Sequence, residues 1–308
     1  MVARKWSNWA CSEVDSCGFN RPPPHDDLEK LMDSRQLHRA HTFKALHERD
    51  SAFVIPNPWD AGSAKLLASL GFEALATTSA GFAFSLGRAD AEGAISRDET
   101  LENVADIVAA TDLPVAADLE NCFADSPEDC AETLLKAAAT GIVGGSIEDA
   151  SGDAGQPIYD FELSVERVRA AAAAVKGLPF PFLLTARAEN LLHGRLDFAD
   201  TLRRLEAYAE AGADVLYAPG LRTREEVIAV VRAVAPRPVN VLMGLGGVTL
   251  SVAELSECGV KRISVGSSMA RAAWGALYRA AEEVRTQGTF SYADQALPFH
   301  RLNTLFKS

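Results

Sequence analysis

From Phe53 onward the chain repeats one phrase, a short run that is apolar throughout followed by a longer amphipathic run. Strands buried on both faces read this way, and such strands are parallel. The apolar runs predict strands at Phe53–Pro56, Ala74–Thr77, Pro114–Asp118, Gly145–Glu148, Phe182–Thr185, Val215–Tyr217, Val239–Leu242 and Arg262–Val265. The amphipathic runs predict helices at Asp60–Leu70 (Asp60 near the N-cap), Glu99–Ala110, Pro127–Ala139, Leu163–Lys176, Phe198–Ala211, Arg224–Val234, Ser251–Cys258 and Met269–Arg285. A loop intervenes between the second strand and its helix. Strict strand–helix alternation dictates a parallel sheet, and eight units in about 235 residues match a closed (β/α)8 TIM barrel. The competing doubly wound open sheet would show a GxGxxG turn after its first strand; the residues there are Pro56-Asn57-Pro58-Trp59-Asp60. The similar helix-to-strand phrases at Ala211–Leu216 and Cys258–Val265 support equivalent units.

Residues 1–45 have a different texture, with three consecutive prolines (Pro22–Pro24), three of the six histidines and weak apolar periodicity. They read as an N-terminal extension, partly disordered, ending in a short helix near Arg49. Residues 46–290 read as the barrel and catalytic domain, and 291–308 as a C-terminal tail. The formal net charge of −12 argues against nucleic acid and anionic membrane as partners. It leaves room for a small anionic substrate, because a local metal or arginine overrides the global field. No apolar run approaches the roughly 20 residues needed to cross a bilayer. Arg4, Lys5, Asp15 and Arg21 interrupt any signal-peptide core. The five cysteines have no CxxC spacing, so neither a zinc knuckle nor a disulfide framework is indicated. A reducing cytoplasm is the expected compartment.

Barrel enzymes work at the C-terminal ends of their strands. Those ends carry Asp118-Leu119-Glu120, Ile147-Glu148-Asp149 and Thr185-Ala-Arg187-Ala-Glu189; Asn240 lies in the seventh strand, and Thr77–Gly81 and Asp90 follow the second. Alternation along an extended chain directs Asp118 and Glu120 to the same side, toward the mouth. Carboxylates gathered in a confined cavity repel by several kcal/mol at about 4 Å and an effective dielectric near 20. Either their pKa values rise or a cation joins them. A set of hard oxygens without histidine suits Mg2+ or Mn2+ better than zinc; His193 is the sole histidine between Arg49 and Phe299. Any one of these acids, taken alone, reads equally as a cap or a solvated loop residue, and Asp125 and Asp129 read as cap and solvated face. Arg187 meets a ligand or neutralises Glu148 or Glu189. Asn240 contacts a ligand or satisfies a core hydrogen bond. Cys122 has no neighbouring base and reads as an inert thiol, and His193 as a loop residue.

Several segments in order resemble the isocitrate lyase/phosphoenolpyruvate mutase superfamily over about residues 50–290. They are Asn57-Pro-Trp-Asp-Ala-Gly-Ser63, Thr77-Thr-Ser-Ala-Gly81 with Leu86-Gly-Arg-Ala-Asp90, Asp118-Leu-Glu120, Ser146-Ile-Glu-Asp149 and Thr185-Ala-Arg187. The resemblance implies a metal set of Asp118, Glu120 and Glu148, with Asp118 as the direct Mg2+ ligand. It implies substrate contacts from Thr78, Ser79, Ala80, Gly81, Arg187 and Asn240, and a catalytic set of Asp90, Glu148 and Arg187. It also implies a small carboxylic acid substrate and a homodimer or homotetramer, with the long last helix of the kind these proteins exchange between subunits.

The departures narrow the activity. The lyase loop Lys-Lys-Cys-Gly-His after the fourth strand is replaced by Ala150-Ser-Gly-Asp-Ala-Gly-Gln-Pro-Ile-Tyr159. The lysine- and asparagine-bearing gating loop of the mutases is missing. The strand-six position that carries glutamate in lyases and histidine in mutases reads Tyr217-Ala-Pro-Gly220. The resulting expectation is a Mg2+-dependent lyase that breaks a C–C bond of a 2-oxo or 2-hydroxy acid, by retro-aldol cleavage or decarboxylation, through a metal-stabilised enolate. Tyr159 and Glu189 are the candidates for the acid that protonates it. The alternatives are phosphonopyruvate-type P–C chemistry, for which Arg88 is the nearby basic residue, and a non-catalytic 2-oxo acid binder.

Overall fold

The eight apolar runs become strands β1 (Phe53–Ile55), β2 (Leu75–Ala76), β3 (Val115–Ala117), β4 (Gly144–Glu148), β5 (Leu183–Arg187), β6 (Val215–Tyr217), β7 (Val239–Leu242) and β8 (Arg262–Ser264) in a computed structural model that describes residues 34–90, 93–246 and 249–307. They pair in parallel in the order β1-β8-β7-β6-β5-β4-β3-β2. The Ala76 amide donates to the Pro56 carbonyl at 3.1 Å and joins β2 to the end of β1. The chain is therefore a (β/α)8 TIM barrel.

Helix α1 (Ser34–Glu48) precedes β1. Its Gln36 amide donates to the Ala138 and Ile142 carbonyls at 2.9 Å each, and Arg39 donates to the Asp112 carbonyl at 3.1 Å. These carbonyls belong to the turns that enter β3 and β4, so α1 lies across the N-terminal end of the barrel. Phe43, His47 and Phe53 pack edge to face there, with ring centroids 4.7–6.5 Å apart. Gly144 makes the contact possible: a Cβ on it would lie 2.8 Å from Phe43 Cε1 and 3.0 Å from the Leu183 carbonyl.

Around the strands run α2 (Ala61–Ser69), α3 (Ser79–Ser85), α4 (Arg97–Ala109), α5 (Pro127–Ala138), α6 (Phe161–Lys176), α7 (Phe198–Ala211), α8 (Arg224–Val234) and α9 (Val252–Glu257). Local chemistry sets their starts. Asp60, Ser96, Thr223 and Ser251 each close a capping box with the residue three places on. The Ser96–Glu99 box moves the start of α4 two residues ahead of the expected Glu99. Helix α3 forms where a loop is expected from sequence, because Thr78 Oγ1 caps the Gly81 amide at 3.2 Å.

The register carries one row of side chains through the barrel interior. Arg187 pairs with Tyr217, Tyr217 with Asn240, and Asn240 with Arg262. Residues in register on parallel strands project from the same face. The stagger of a closed barrel puts Arg187 at the C-terminal end of β5 and Arg262 at the N-terminal end of β8.

Helix α10 (Ser268–Gln287) buries only Ala270 and leaves Trp274, Leu277 and Tyr278 exposed. A 3₁₀ turn (Ser291–Gln295) and α11 (Phe299–Phe306) follow. Lys65 Nζ of α2 donates to the Phe306 carbonyl at 3.5 Å. Among the described residues no helix is long and apolar enough to cross a membrane.

Candidate active site

Asp118 is the first residue past β3, and neighbours from the end of β2, the start of α3, β4 and β5 hold it. Its amide donates to Thr77 Oγ1 at 2.9 Å. Its Oδ2 accepts from Ser79 Oγ at 3.0 Å and from the Ser79 amide at 3.2 Å. Its Oδ1 accepts from Ser146 Oγ at 3.3 Å and from Arg187 Nη1 at 2.9 Å. Arg187 is the hub: its Nη2 lies 3.1 Å from Glu148 Oε2 and its Nε 2.7 Å from Glu189 Oε1. The guanidinium also stands 5.1 Å from the centroid of the Tyr217 ring. Arg187 therefore neutralises the acids, and the same side chain faces a cavity.

Burial raises the Glu148 carboxyl well above the usual carboxylate range against the pull of Arg187, and the charges of Glu189, Asp118 and Glu120 add to the rise. Glu189 is raised for the same leading reason, with Arg187 again opposing. Glu120 is pushed up to about 7 by burial, then by the charges of Asp118 and Asp90. Burial would lower Arg187, but Glu189, Glu148 and Asp118 outweigh it and hold the guanidinium above its ordinary value. The site carries more negative charge than one arginine compensates.

Glu120 does not follow the alternation inferred from sequence. β3 ends at Ala117, and the next loop places Glu120, Cys122 and Phe123 at φ of 49°, 61° and 55°. Each non-glycine residue in this left-handed region costs roughly 1–2 kcal/mol. Three in four residues need a brace, and Arg167 supplies it. This fully buried arginine of α6 donates to the Asn121 carbonyl, to the Ala124 carbonyl at 2.9 Å and to the Glu148 carbonyl at 3.2 Å. Its guanidinium lies 4.0 Å from the Tyr159 ring centroid. Sequence reasoning passed over Arg167, although a signal was present: it occupies the apolar phase of α6, in line with Ser164, Val168 and Ala171.

The acids divide between two connected spaces. An inner cavity of 190 Å³ is lined by Asp118, Ser146, Tyr217, Asn240 and Arg262 among others. An outer vestibule of 1160 Å³ takes in Glu120, Glu148 and Glu189. Ser79, Asp90 and Arg187 border both. Among the described residues no three His, Cys, Asp or Glu side chains stand close enough to hold a metal ion as placed, because Arg187 is seated between Asp118 and Glu148.

The remaining residues singled out from sequence separate cleanly. Thr78, Ser79, Ala80 and Gly81 form the cap and first turn of α3. Two of their amides already have acceptors, Asp118 for Ser79 and Thr78 for Gly81. Asn240 lines the inner cavity and is also buried in hydrogen bonds, donating to Ser264 Oγ and accepting from Arg262 Nε, both at 2.9 Å. Asp149 turns into the wall, where it takes Tyr208 Oη at 2.6 Å and Arg204 Nη1 at 3.1 Å. Tyr159 donates to Asp125, and burial, then that bond, push it up to about 12. Tyr159 borders neither space, whereas Glu189 borders the vestibule. Cys122 is wholly buried, and its thiol is raised by its bond with Cys130 and by burial, as an inert thiol requires.

A family model described as phosphoenolpyruvate phosphomutase matches residues 43–285. A solved structure from Burkholderia cenocepacia J2315, described provisionally as a lyase or mutase, is 57% identical with a TM-score of 0.87, over 90% of this chain and 98% of that one. A solved 2,3-dimethylmalate lyase is 27% identical with a TM-score of 0.78, over 89% of this chain and 95% of that one. The oxaloacetate decarboxylase of Paraburkholderia xenovorans LB400 is 28% identical over 253 residues, 79% of this chain and 81% of the relative.

Proposed function

This chain belongs to the phosphoenolpyruvate phosphomutase family and is a carbon–carbon lyase of the isocitrate lyase/phosphoenolpyruvate mutase type, and from that premise we propose that it breaks a C–C bond next to the carbonyl or carbinol carbon of a small 2-oxo or 2-hydroxy acid, with Mg2+ as cofactor. The observation that carries the reading is the convergence of Asp118, Glu148 and Glu189 on Arg187 at the C-terminal ends of β3, β4 and β5, beside the inner cavity.

In its chemistry, though not in its present spacing, the donor set suits Mg2+ or Mn2+. It consists of hard oxygens, and burial, with the charges of neighbouring carboxylates, raises Glu120 and Glu148. Asp118 would hold the ion directly, and Glu120 and Glu148 would hold it through water. When bound, the ion supplies Lewis-acid polarisation of the substrate carbonyl. Arg187 turns its charge toward the oxygen that becomes negative as the C–C bond breaks, an interaction stronger in the transition state than in the bound substrate. The first turn of α3, Thr78 to Gly81, and Asn240 orient the substrate carboxylate. Asp90 and Glu148 set the charge and protonation at the junction of cavity and vestibule. Glu189, raised by burial and standing at the vestibule, donates the proton that quenches the carbanionic carbon. Arg167 keeps the left-handed loop, and with it Glu120, in place.

The exposed apolar face of α10, with Trp274, Leu277 and Tyr278, favours a homodimer or homotetramer in which that helix is covered by another subunit. The buried free thiols Cys122, Cys130 and Cys258 suit a reducing compartment, the cytoplasm.

Pyruvate and glyoxylate release, assayed across 2-oxo and 2-hydroxy di- and tricarboxylates with Mg2+ and with EDTA, tests the reading. Mg2+-dependent release from at least one acid is expected, with none in EDTA. Phosphate release from phosphonopyruvate in place of any C–C cleavage would overturn it.

A further inference from the structure

Arg262 is a buried cation without a buried anion. It opens β8, is 6% exposed and points into the barrel. Its Nε donates to Asn240 Oδ1 and its Nη2 to Thr185 Oγ1, each at 2.9 Å. Both acceptors are neutral. Among the described residues no carboxylate lies within ion-pair distance of it, and its Nη1 has no hydrogen-bond acceptor. Arg204 is paired with Asp149 and Asp200, Arg187 with three acids and Arg39 with Asp112, whereas Arg167, like Arg262, has only neutral acceptors, three carbonyls that tie it to the wall. His47 of α1, which feels the charge of Arg262, offers no compensation; burial, then Arg262, push it down to about 3. An ionised group held in such a place is costly unless something pairs with it.

What distinguishes Arg262 from a purely structural arginine is that it borders the inner cavity, in the same register row as Arg187 and three strands on. Tyr217, Asn240 and Ser264 line the same cavity with hydroxyl and amide groups. Asn240 and Thr185 fix two of the three guanidinium nitrogens and leave the third for a ligand. The acids that suit a metal sit at the opposite, C-terminal end of the space.

We propose that Arg262 anchors a second acidic group of the substrate, a carboxylate remote from the reacting carbonyl, at the N-terminal floor of the cavity. The inference rests on the reading that this cavity takes a 2-oxo or 2-hydroxy acid. It narrows the substrate class to dicarboxylates whose length spans from the Asp118 end to Arg262.

Calorimetric binding in Mg2+ with chain-matched probes tests this, using 2-oxovalerate against 2-oxoglutarate and 2-oxobutyrate against oxaloacetate as a competitor. The wild-type protein is expected to bind the dicarboxylate of at least one pair about 30-fold or more tightly than its partner, the scale for one buried charged hydrogen bond. Arg262→Met is expected to erase that difference while changing monocarboxylate affinity by less than about threefold, and Arg262→Lys to retain part of it. Equal binding of both members of each pair by the wild type would overturn the assignment, as would a variant that weakens both alike. Should Arg262→Met fail to show a cooperative melt, the lysine variant and the wild-type comparison decide. Mg2+-dependent monocarboxylate binding without discrimination removes the subsite alone. Absence of binding by every probe removes the oxo acid reading and the subsite with it.

Discussion

Replacing Arg187 with methionine removes the one cation shared by Asp118, Glu148 and Glu189, which approach it to 2.9, 3.1 and 2.7 Å. At about 3 Å and an effective dielectric near 20, each pair is worth roughly 5 kcal/mol of Coulomb energy before desolvation. Taking charges out of water cancels most of that gain, and removal of one partner from a buried cluster costs about 3–5 kcal/mol net. For a chain of this size such a loss lowers the melting temperature by roughly 5–8 °C. The loss is pH-dependent. Glu148 and Glu189 already sit above the usual carboxylate range, and without Arg187 they rise further. The folded state then holds protons that the unfolded chain releases above its ordinary value of 4.5. Stability therefore falls as pH rises, and the difference from wild type is larger at pH 8 than at pH 5.5. Millimolar Mg2+ supplies replacement charge and narrows the difference at pH 8. Turnover drops about 10²–10³-fold, the scale for losing one partner of a developing negative charge. Thermal melts at the two pH values, with and without Mg2+, and kcat on a turned-over acid check this. A melting temperature within about 2 °C of wild type at pH 8 together with near-normal kcat would refute both the energetic argument and the assigned role.

Three further outcomes are expected. Asp118→Asn keeps the fold but loses Mg2+-dependent thermal stabilisation, measured by melting with added Mg2+; full retention would exclude Asp118 as the ligand. His47→Phe reduces acid sensitivity: the native ring stays neutral down to about 3, whereas the unfolded chain protonates at 6.5. Stability present above 6.5 is thus lost as pH falls, by about 3 kcal/mol between pH 7 and 4.5, and the wild-type-minus-variant difference in urea unfolding should show it. Leu277→Asp, placed on the exposed face of α10 where the side chain is 57% accessible, should shift the protein to monomers in light scattering; an unchanged mass would mean that this face is not the interface.

The architecture, and which acids lie at the strand ends, were legible from the order of residues alone. Alternating apolar and amphipathic runs leave a parallel barrel as the arrangement that buries every strand on both faces, and a barrel gathers its strand ends at one rim. That is why Asp118, Glu148 and Arg187 could be named together from sequence. Tertiary structure decided everything that depends on φ, register and burial. Glu120 leaves the expected alternation because the strand stops at Ala117 and a left-handed loop takes over, and Arg167 stabilises that loop from a helix forty residues further along. Asp149, legible only as a polar residue near the rim, and Tyr159, a candidate proton donor from sequence, turn into the wall. Arg262 read only as the first residue of the eighth expected strand; the stagger of the closed barrel carries it under the site, beneath Arg187. Local patterns fix which residues share a face. Only closure of the sheet fixes which faces meet, and with them the charges that must share one cavity.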